Sequence, residues 1–432
     1  MGMVGPSTIA HNNYATNTAS ILRGGNNAAG PISNLNATSP YRVQVINDFD
    51  TSNTKLYYGD NAAIGGLDFD AWPAQIEYLA TRLAGVPAAK RWLNYELGRN
   101  GISRSLSEHK AALDRDIANA RSKGFSKIFL NKLWFRTSST SGWEKGSANR
   151  QKIVDINAYI DQLVAAATDL VIVDLPVFMH DPSTGSGLNV EPYSDAVRND
   201  GQHISSRGGR RASKAYEAAV APFVVAKTFP TPASENKIPA MAGSGGALGP
   251  ATGEVYSGFT LAAAGSAITT VASRVTNGGK PYQRLAFSGM SYIGSSGASI
   301  EMRSDGFAAT AGERVNWRCK VRIPATQNPY MFYAALEGGS NTTGARSVAF
   351  APARTDLSTD EVVTTTGTTL TSGSVFNGAA DTEDREFWLE GTLPIHVDVD
   401  SPLTVVVRFL LRASAVDFVA EIGEFQTFNW AG

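Results

Sequence analysis

Cysteine is almost missing from this chain: Cys319 is the single one in 432 residues. That excludes an intrachain disulfide and any thiolate metal cluster. Net charge is equally scarce, with a formal value of -1. Nothing in such a balance drives the chain toward nucleic acid or an anionic membrane surface. No stretch of about 18 consecutive apolar residues exists, so no membrane insertion is expected. The opening Met1-Gly2-Met3-Val4-Gly5-Pro6-Ser7 has neither a basic n-region nor a long apolar h-region, and no secretory signal is expected from it. Histidine is sparse too. His11, His109 and His396 show no ligand spacing with other residues, so neither a metal nor a cofactor is expected.

What is present is enough apolar material for more than one core. The chain is 43% hydrophobic and 18% charged, and its length exceeds that of one ordinary domain. Four segments differ in composition. Residues 1–40 are small and polar, with Asn12-Asn13, Gly24-Gly25 and Asn26-Asn27, and read either as a flexible terminus or as an arm that orders only against a partner. Residues 41–226 alternate strand-like and helix-like patterns. Residues 227–253 hold Pro230, Pro232, Pro239 and Pro250 among several glycines, a linker composition. Residues 254–432 lose helical periodicity altogether.

In the second segment, strands are expected at Arg42–Ile46, Trp92–Leu97, Lys127–Trp134 and Asp169–Leu175. Helices are expected from Trp72, Ile76, Leu79 and Leu83, with Pro73 in the first turn. Leu106, Leu113, Ile117 and Ala120 mark the next, and Ile153, Ile156, Ile160 and Leu163 a third. Ala212, Ala215, Tyr216, Ala219 and Val220 form one face of a last helix. Strands alternating with helices imply a parallel sheet covered on both faces, with ligands at the carboxyl ends of its strands. Just before that last helix, Asp200-Gly201-Gln202-His203 sets a carboxylate and an imidazole three residues apart in a turn. Such spacing lets the Asp orient the His and leave one ring nitrogen as a base; it also suits a simple helix cap.

The order of these pieces resembles the SGNH (GDSL-like) hydrolase family over roughly 185 residues. Arg42–Ile46 followed by Asn47-Asp48-Phe49 is similar to that family's first block, a strand ending in Gly-Asp-Ser. Leu97-Gly98-Arg99-Asn100-Gly101 is similar to the second block, whose Gly lends a backbone N–H to an oxyanion, and Gly101 takes that part here. Asp200 and His203 match the fifth block, which supplies the acid and base of the triad. The resemblance implies a flavodoxin-like, doubly wound parallel sheet. It also places Phe49 where the nucleophilic Ser belongs, beside Asp48, and Leu133 where an oxyanion-hole Asn belongs. A phenyl ring has no oxygen to attack a carbonyl, so a retained Asp200–His203 dyad in an inactive scaffold is the first expectation. A second placement of the first block, on Tyr58-Gly59-Asp60-Asn61, offers no nucleophile either. The alternative is an active carbohydrate O-acetylesterase whose Ser comes from another loop: Ser52, Ser103 or Ser139. His180-Asp181, after the fourth strand, reads as a surface dipeptide or as a further lining of the same edge.

In residues 254–432, short β-prone runs alternate with Gly, Ser, Thr and Asn turns. Arg314–Ile323 alternates polar and apolar almost perfectly, as a half-buried antiparallel strand does. The pattern predicts an all-β sandwich, jelly-roll-like and similar in architecture to carbohydrate-binding modules. Cys319 is expected as a small core residue. Tyr330 and Trp388 are the candidate glycan contacts, weighed against the ordinary core role of strand aromatics such as Trp317. This domain order resembles that of phage fibres and spikes. It implies a homo-oligomeric, trimeric virion protein, joined to other virion proteins by the arm and meeting a host-surface glycan. Such analogy at the level of folds does not fix function.

Overall fold

The structure is a computed structural model. It describes residues 1–5, 31–32, 35, 39–41, 43, 45, 62–63, 66–194, 196–197, 201–204, 206–226, 236–249, 251–264, 269–288, 298–311, 313–324, 331–338, 346–350, 385–390, 395–396, 401–411 and 418–429.

The first half is an α/β unit. Its strands are β1 (Gly2–Val4), β2 (Trp92–Tyr95), β3 (Lys127–Asn131) and β4 (Leu170–Val173), all parallel and hydrogen-bonded in that order. Its helices are α1 (Trp72–Arg82), α2 (Leu106–Ser122), α3 (Ala148–Ala165), the short α4 (Leu175–Met179) and α5 (Ser206–Val220). A hairpin-like pair, β5 (His180–Asp181) and β6 (Glu191–Pro192), follows α4. The helix starts are chemically marked. Pro73 sits in the first turn of α1, Ser105 and Glu108 form a reciprocal capping box on α2, and Ser147 caps α3.

Alternation along the strands sorts the core into two layers. Val4, Leu93, Tyr95, Ile128 and Leu130 face α1, α2 and α3, where Trp72, Ile76, Leu113, Ile117, Ile153 and Ile156 meet them. Met3, Phe129 and Val173 face the other way, toward α5, with Ala212, Ala215 and Tyr216. Three successive crossover helices on one face follow from strands that advance in one direction with right-handed connections. A doubly wound sheet needs a reversal of strand order. The described strands show the parallel, two-faced α/β architecture and no such reversal among themselves.

The first strand is also not where periodicity put it. Tyr41, Val43 and Val45 belong to no strand, although Val43 and Val45 are buried. Gly2–Val4 takes the place beside β2, with Met1, Met3, Ile32 and Leu35 in the α5-side core. The polar arm expected over residues 1–40 therefore contributes its described residues to the domain itself. Apolar burial explains this. Met3 and Val4 are fully buried, and removing such side chains from water contributes roughly 1.5–3 kcal/mol each.

The second half is all β. One sheet contains β10 (Phe259–Ala264), β13 (Ala298–Ser304), β14 (Phe307–Ala309), β16 (Met331–Gly338), β17 (Arg346–Phe350) and β20 (Ser401–Leu411). The other contains β8 (Thr252–Gly253), β11 (Thr269–Asn277), β12 (Lys280–Ser288), β15 (Arg314–Ile323), β18 (Arg385–Glu390), β19 (Ile395–His396) and β21 (Phe418–Asn429). A small ribbon of β7 (Ala242–Ser244) and β9 (Tyr256–Ser257) accompanies them. Phe259, Leu261, Met302 and Val405 of the first sheet share one core with Leu285, Trp317, Cys319 and Ile422 of the second, so the two are a sandwich. Ile238 and Met241 join that core, and Asn236 and Lys237 bond to Phe425 and Thr427. The expected linker is thus shorter than 227–253: from residue 236 the chain is part of the sandwich. Among its described residues, Gly243 lies in β7 and Gly253 in β8, where Gly253 has φ 104° with the Ala272 carbonyl against it.

Candidate active site

The carboxyl ends of the parallel strands lie at one edge, where Arg99 ties the loops after β2 and β3 to the His203 turn; the loop after Ile46 lies outside the described residues. Past β2 the chain runs Glu96-Leu97-Gly98-Arg99. The Leu97 carbonyl accepts from Trp72 Nε1 at 3.2 Å, and Gly98 turns the backbone at φ 84°. That conformation is one that L side chains rarely adopt. Arg99, only 4% exposed, then spans two other loops. Its Nη2 donates to the Gln202 carbonyl at 2.7 Å and its Nη1 toward the Trp134 carbonyl at 3.4 Å. Its guanidinium lies 4.1 Å from the Trp134 ring centroid, a cation–π contact in a largely dry setting.

The turn carrying His203 is held from a second side. Thr137 N–H donates to the Gly201 carbonyl at 3.0 Å. Gly201 has φ 68°, and a Cβ there would lie 2.2 Å from Thr137 Oγ1, so the contact requires glycine. A bridge between Val197 and Ile204 closes the turn before α5. His203 is half-buried within it. Asp200 lies outside the described residues, as do Asp48, Phe49, Ser52 and Tyr330.

Gly101 does not sit at the strand end. It packs on the Phe69 ring, where an added Cβ would meet Phe69 Cε1 at 2.9 Å, and its carbonyl accepts from Arg104 N–H at the approach to α2. The glycine at the carboxyl end of β2 is Gly98. Sequence spacing alone does not separate the two; the left-handed backbone does.

Leu133, placed where an oxyanion donor was expected, is likewise committed. Its backbone N–H donates to Asn157 Oδ1 and its carbonyl accepts from Asn157 Nδ2, both at 2.8 Å. Asn157 comes from α3 and had no sequence signal. Ser103 is exposed. Ser139 is exposed as well, with its hydroxyl 2.8 Å from Thr137 Oγ1.

His180 is brought to the same neighbourhood. Phe135 N–H donates to His180 Nε2 at 3.0 Å, and the two rings stack at 4.7 Å. Burial, then the nearby Arg150 and Arg99 charges, push the imidazole down from 6.5 to about 4, against a smaller opposing pull from Glu191. Arg150, fully buried on α3, organises the surrounding loops. It donates to the carbonyls of Trp143, Leu188 and Val190 and pairs with Glu191 at 2.8 Å. Glu191 in turn accepts from Ser138 N–H at 2.9 Å. Beneath the edge, Tyr216 accepts from Asn131 Nδ2 at 2.9 Å, and burial followed by the Glu96 charge pushes its phenol well up.

In the sandwich, Trp317 is fully buried and belongs to the core, as strand aromatics ordinarily do. Trp388 is half-buried, but the Arg318 guanidinium lies 3.3 Å from its ring centroid and occupies one face. Cys319 is buried, and burial pushes its thiol far up.

No family model matches this chain, and no curated protein matches it. Solved structures do show partial likeness. A lipolytic protein of the G-D-S-L family from Veillonella parvula is 14% identical, over 50% of this chain and 94% of its own, at a TM-score of 0.34. A family 3 carbohydrate esterase from Clostridium thermocellum is 14% identical over 51% of this chain and 94% of its own, at 0.31. A structure of carbohydrate-binding modules from the β-sandwich superfamily is 13% identical over 40% of this chain and 57% of its own, at 0.26. These are SGNH/GDSL-type and β-sandwich neighbours at low identity, and at such scores the chemistry has to be argued from the site.

Proposed function

We propose that the α/β domain is a serine-type carboxylic-ester hydrolase of the SGNH kind, acting on an O-acylated carbohydrate, with the sandwich as its glycan-binding accessory. One observation carries the reading. The strand that enters the sheet beside β2 is Gly2–Val4, and the next residues are Gly5, Pro6 and Ser7. A strand running into Gly5-Pro6-Ser7 matches the family's Gly-Asp-Ser at the Gly and the Ser, with Pro6 in place of the Asp; Pro6 and Ser7 lie outside the described residues. The inactive-scaffold expectation drew on a strand at 42–46 ending at Phe49, and the sheet takes a different segment.

In this reading Ser7 Oγ attacks the acyl carbonyl while His203 removes its proton, and Asp200 orients the imidazole. The backbone N–H of Gly98 stands in for the oxyanion donor assigned to Gly101 from sequence, because Gly98 turns the chain at the carboxyl end of β2 and Gly101 packs on Phe69. His203 then protonates the leaving sugar oxygen, and water releases the acid by the reverse path. Arg99 and Thr137 support the reading by holding Gln202 and Gly201 on either side of the turn.

The test is hydrolysis of p-nitrophenyl acetate by the native protein and by Ser7→Ala and His203→Ala, with a fluorophosphonate label mapped by mass spectrometry. The expected result is a label on Ser7 and a loss on the order of 10³-fold or more in both variants. Full activity in Ser7→Ala, or a label on Ser103 or Ser139, sinks the assignment. The virion setting rests on domain order alone. A light-scattering mass tests it: a trimer is expected, and a monomer with no affinity for virions or cell-surface polysaccharide removes it.

A further inference from the structure

His180 has a fixed tautomer. A backbone amide can only donate, so the 3.0 Å contact from Phe135 N–H makes His180 Nε2 the lone-pair nitrogen. In the neutral ring the proton therefore resides on Nδ1. The ring is neutral over the physiological range because burial and the Arg150 and Arg99 charges oppose its protonation. Stacking on Phe135 fixes its plane. Yet Nδ1–H makes no hydrogen bond with any described residue, and His180 is only half-buried. Held rigidly and kept uncharged, that N–H is open at this edge and available to a ligand.

Its position says what that is. Phe135 belongs to the segment after β3, between Trp134, whose carbonyl Arg99 engages, and Thr137, which holds Gly201. One four-residue stretch, 134–137, thus fixes both His180 and the His203 turn. The loops after β2, β3 and β4 reach the same edge.

We infer that His180 is a substrate-binding residue, its Nδ1–H donating to a hydroxyl or ring oxygen of a neutral sugar carrying the scissile ester. The role deepens the esterase reading and rests on it for the identity of the substrate. A neutral donor suits an uncharged polyol. An imidazolium would instead favour an anion and pay for it in desolvation.

His180→Gln is the discriminating variant. Its side-chain oxygen reaches the Nε2 position and keeps an acceptor for Phe135 N–H, whereas the Nδ1 donor is gone. With a monoacetylated methyl glucoside, KM is expected to rise about 3–10-fold with kcat little changed, the range of one neutral hydrogen bond. With p-nitrophenyl acetate, which has no hydroxyls, both constants are expected to stay within about twofold. His180→Phe, which keeps the stack but not the acceptor, is expected to lower thermal stability as well. Equal KM for the glucoside in native protein and His180→Gln overturns the inference. If the native protein hydrolyses neither ester, the esterase reading fails, and calorimetric binding of the same glucoside decides His180. Weaker binding by His180→Gln supports the donor role; equal affinity, or no binding by either, overturns it.

Discussion

On one face of the parallel sheet, α1, α2 and α3 bury Ile76, Ile117 and Ile156 against Val4, Leu93 and Ile128. On the other, α5 packs on Met3, Phe129 and Val173, with Ile32, Leu35, Val43 and Val45 around it. The first face is assembled from crossovers, each next to the strands it joins in sequence. The second is assembled from the two ends of the domain, about two hundred residues apart in sequence. Polar groups occur in both: α3 of the first supplies Arg150 and Asn157, and the His203 turn rests on the second. Asn131 and Tyr216 bond beneath the edge there, and Ile204, next to His203, anchors its turn in that core. A layer built from local crossovers supplies cohesion. A layer that joins distant segments brings together groups that no local pattern could align.

Four substitutions or conditions probe this division, from the largest effect to the smallest. Ile156→Ala, in the crossover layer, is expected to cost about 2–5 kcal/mol in denaturant unfolding, with kcat/KM of the folded protein unchanged. A specific loss of turnover in that variant would break the division. The pH dependence of stability comes next. Folding lowers the His180 pKa from 6.5 to about 4, so the unfolded chain takes up the proton first. Its contribution is complete above pH 6.5 and is lost as pH falls toward about 4, at most about 3 kcal/mol. The same unfolding series on His180→Gln is expected to lack that acid-side slope; an identical slope refutes the assignment.

Gly201→Ala places a methyl against Thr137 at positive φ. It is expected to cost about 1–3 kcal/mol of stability but to abolish ester turnover, the reverse of Ile156→Ala. Near-native turnover there would show that the turn need not be held by Thr137. Tyr216→Phe is the mildest, about 1 kcal/mol, because it leaves Asn131 Nδ2 without its acceptor while keeping the ring's volume. A thermal-shift comparison with native protein measures it, and no shift would mean that another group satisfies the amide.

Much of the fold is legible in residue order. Arg314–Ile323 is a strand over the whole stretch where polar and apolar residues alternate. The capping Ser105 and the Leu113–Ile117 spacing mark α2, and Ala212–Val220 marks α5. These signals are local: a period of two or 3.6 needs only neighbours. Gly2–Val4 has no such signal, because three residues cannot display a period and both faces of the strand are buried. Val43 and Val45 do alternate and are buried, but another segment holds the place beside β2. Which segment pairs is a competition between distant stretches.

The site divides the same way. Asp200-Gly201-Gln202-His203 can be read as a motif, and so can the glycine-containing block after β2. That Gly98 rather than Gly101 turns the chain, that Asn157 occupies the Leu133 amide, and that Arg99 reaches Gln202 cannot. Sequence by itself determined the four long helices, most of the β-strands and the turn before α5, because those depend on adjacent residues and their solvent preference. Tertiary structure alone decided the first strand, the tautomer of His180 and the position of each backbone amide. Those follow from hydrogen bonds and packing between residues tens to hundreds of positions apart, where one partner's geometry fixes the other's.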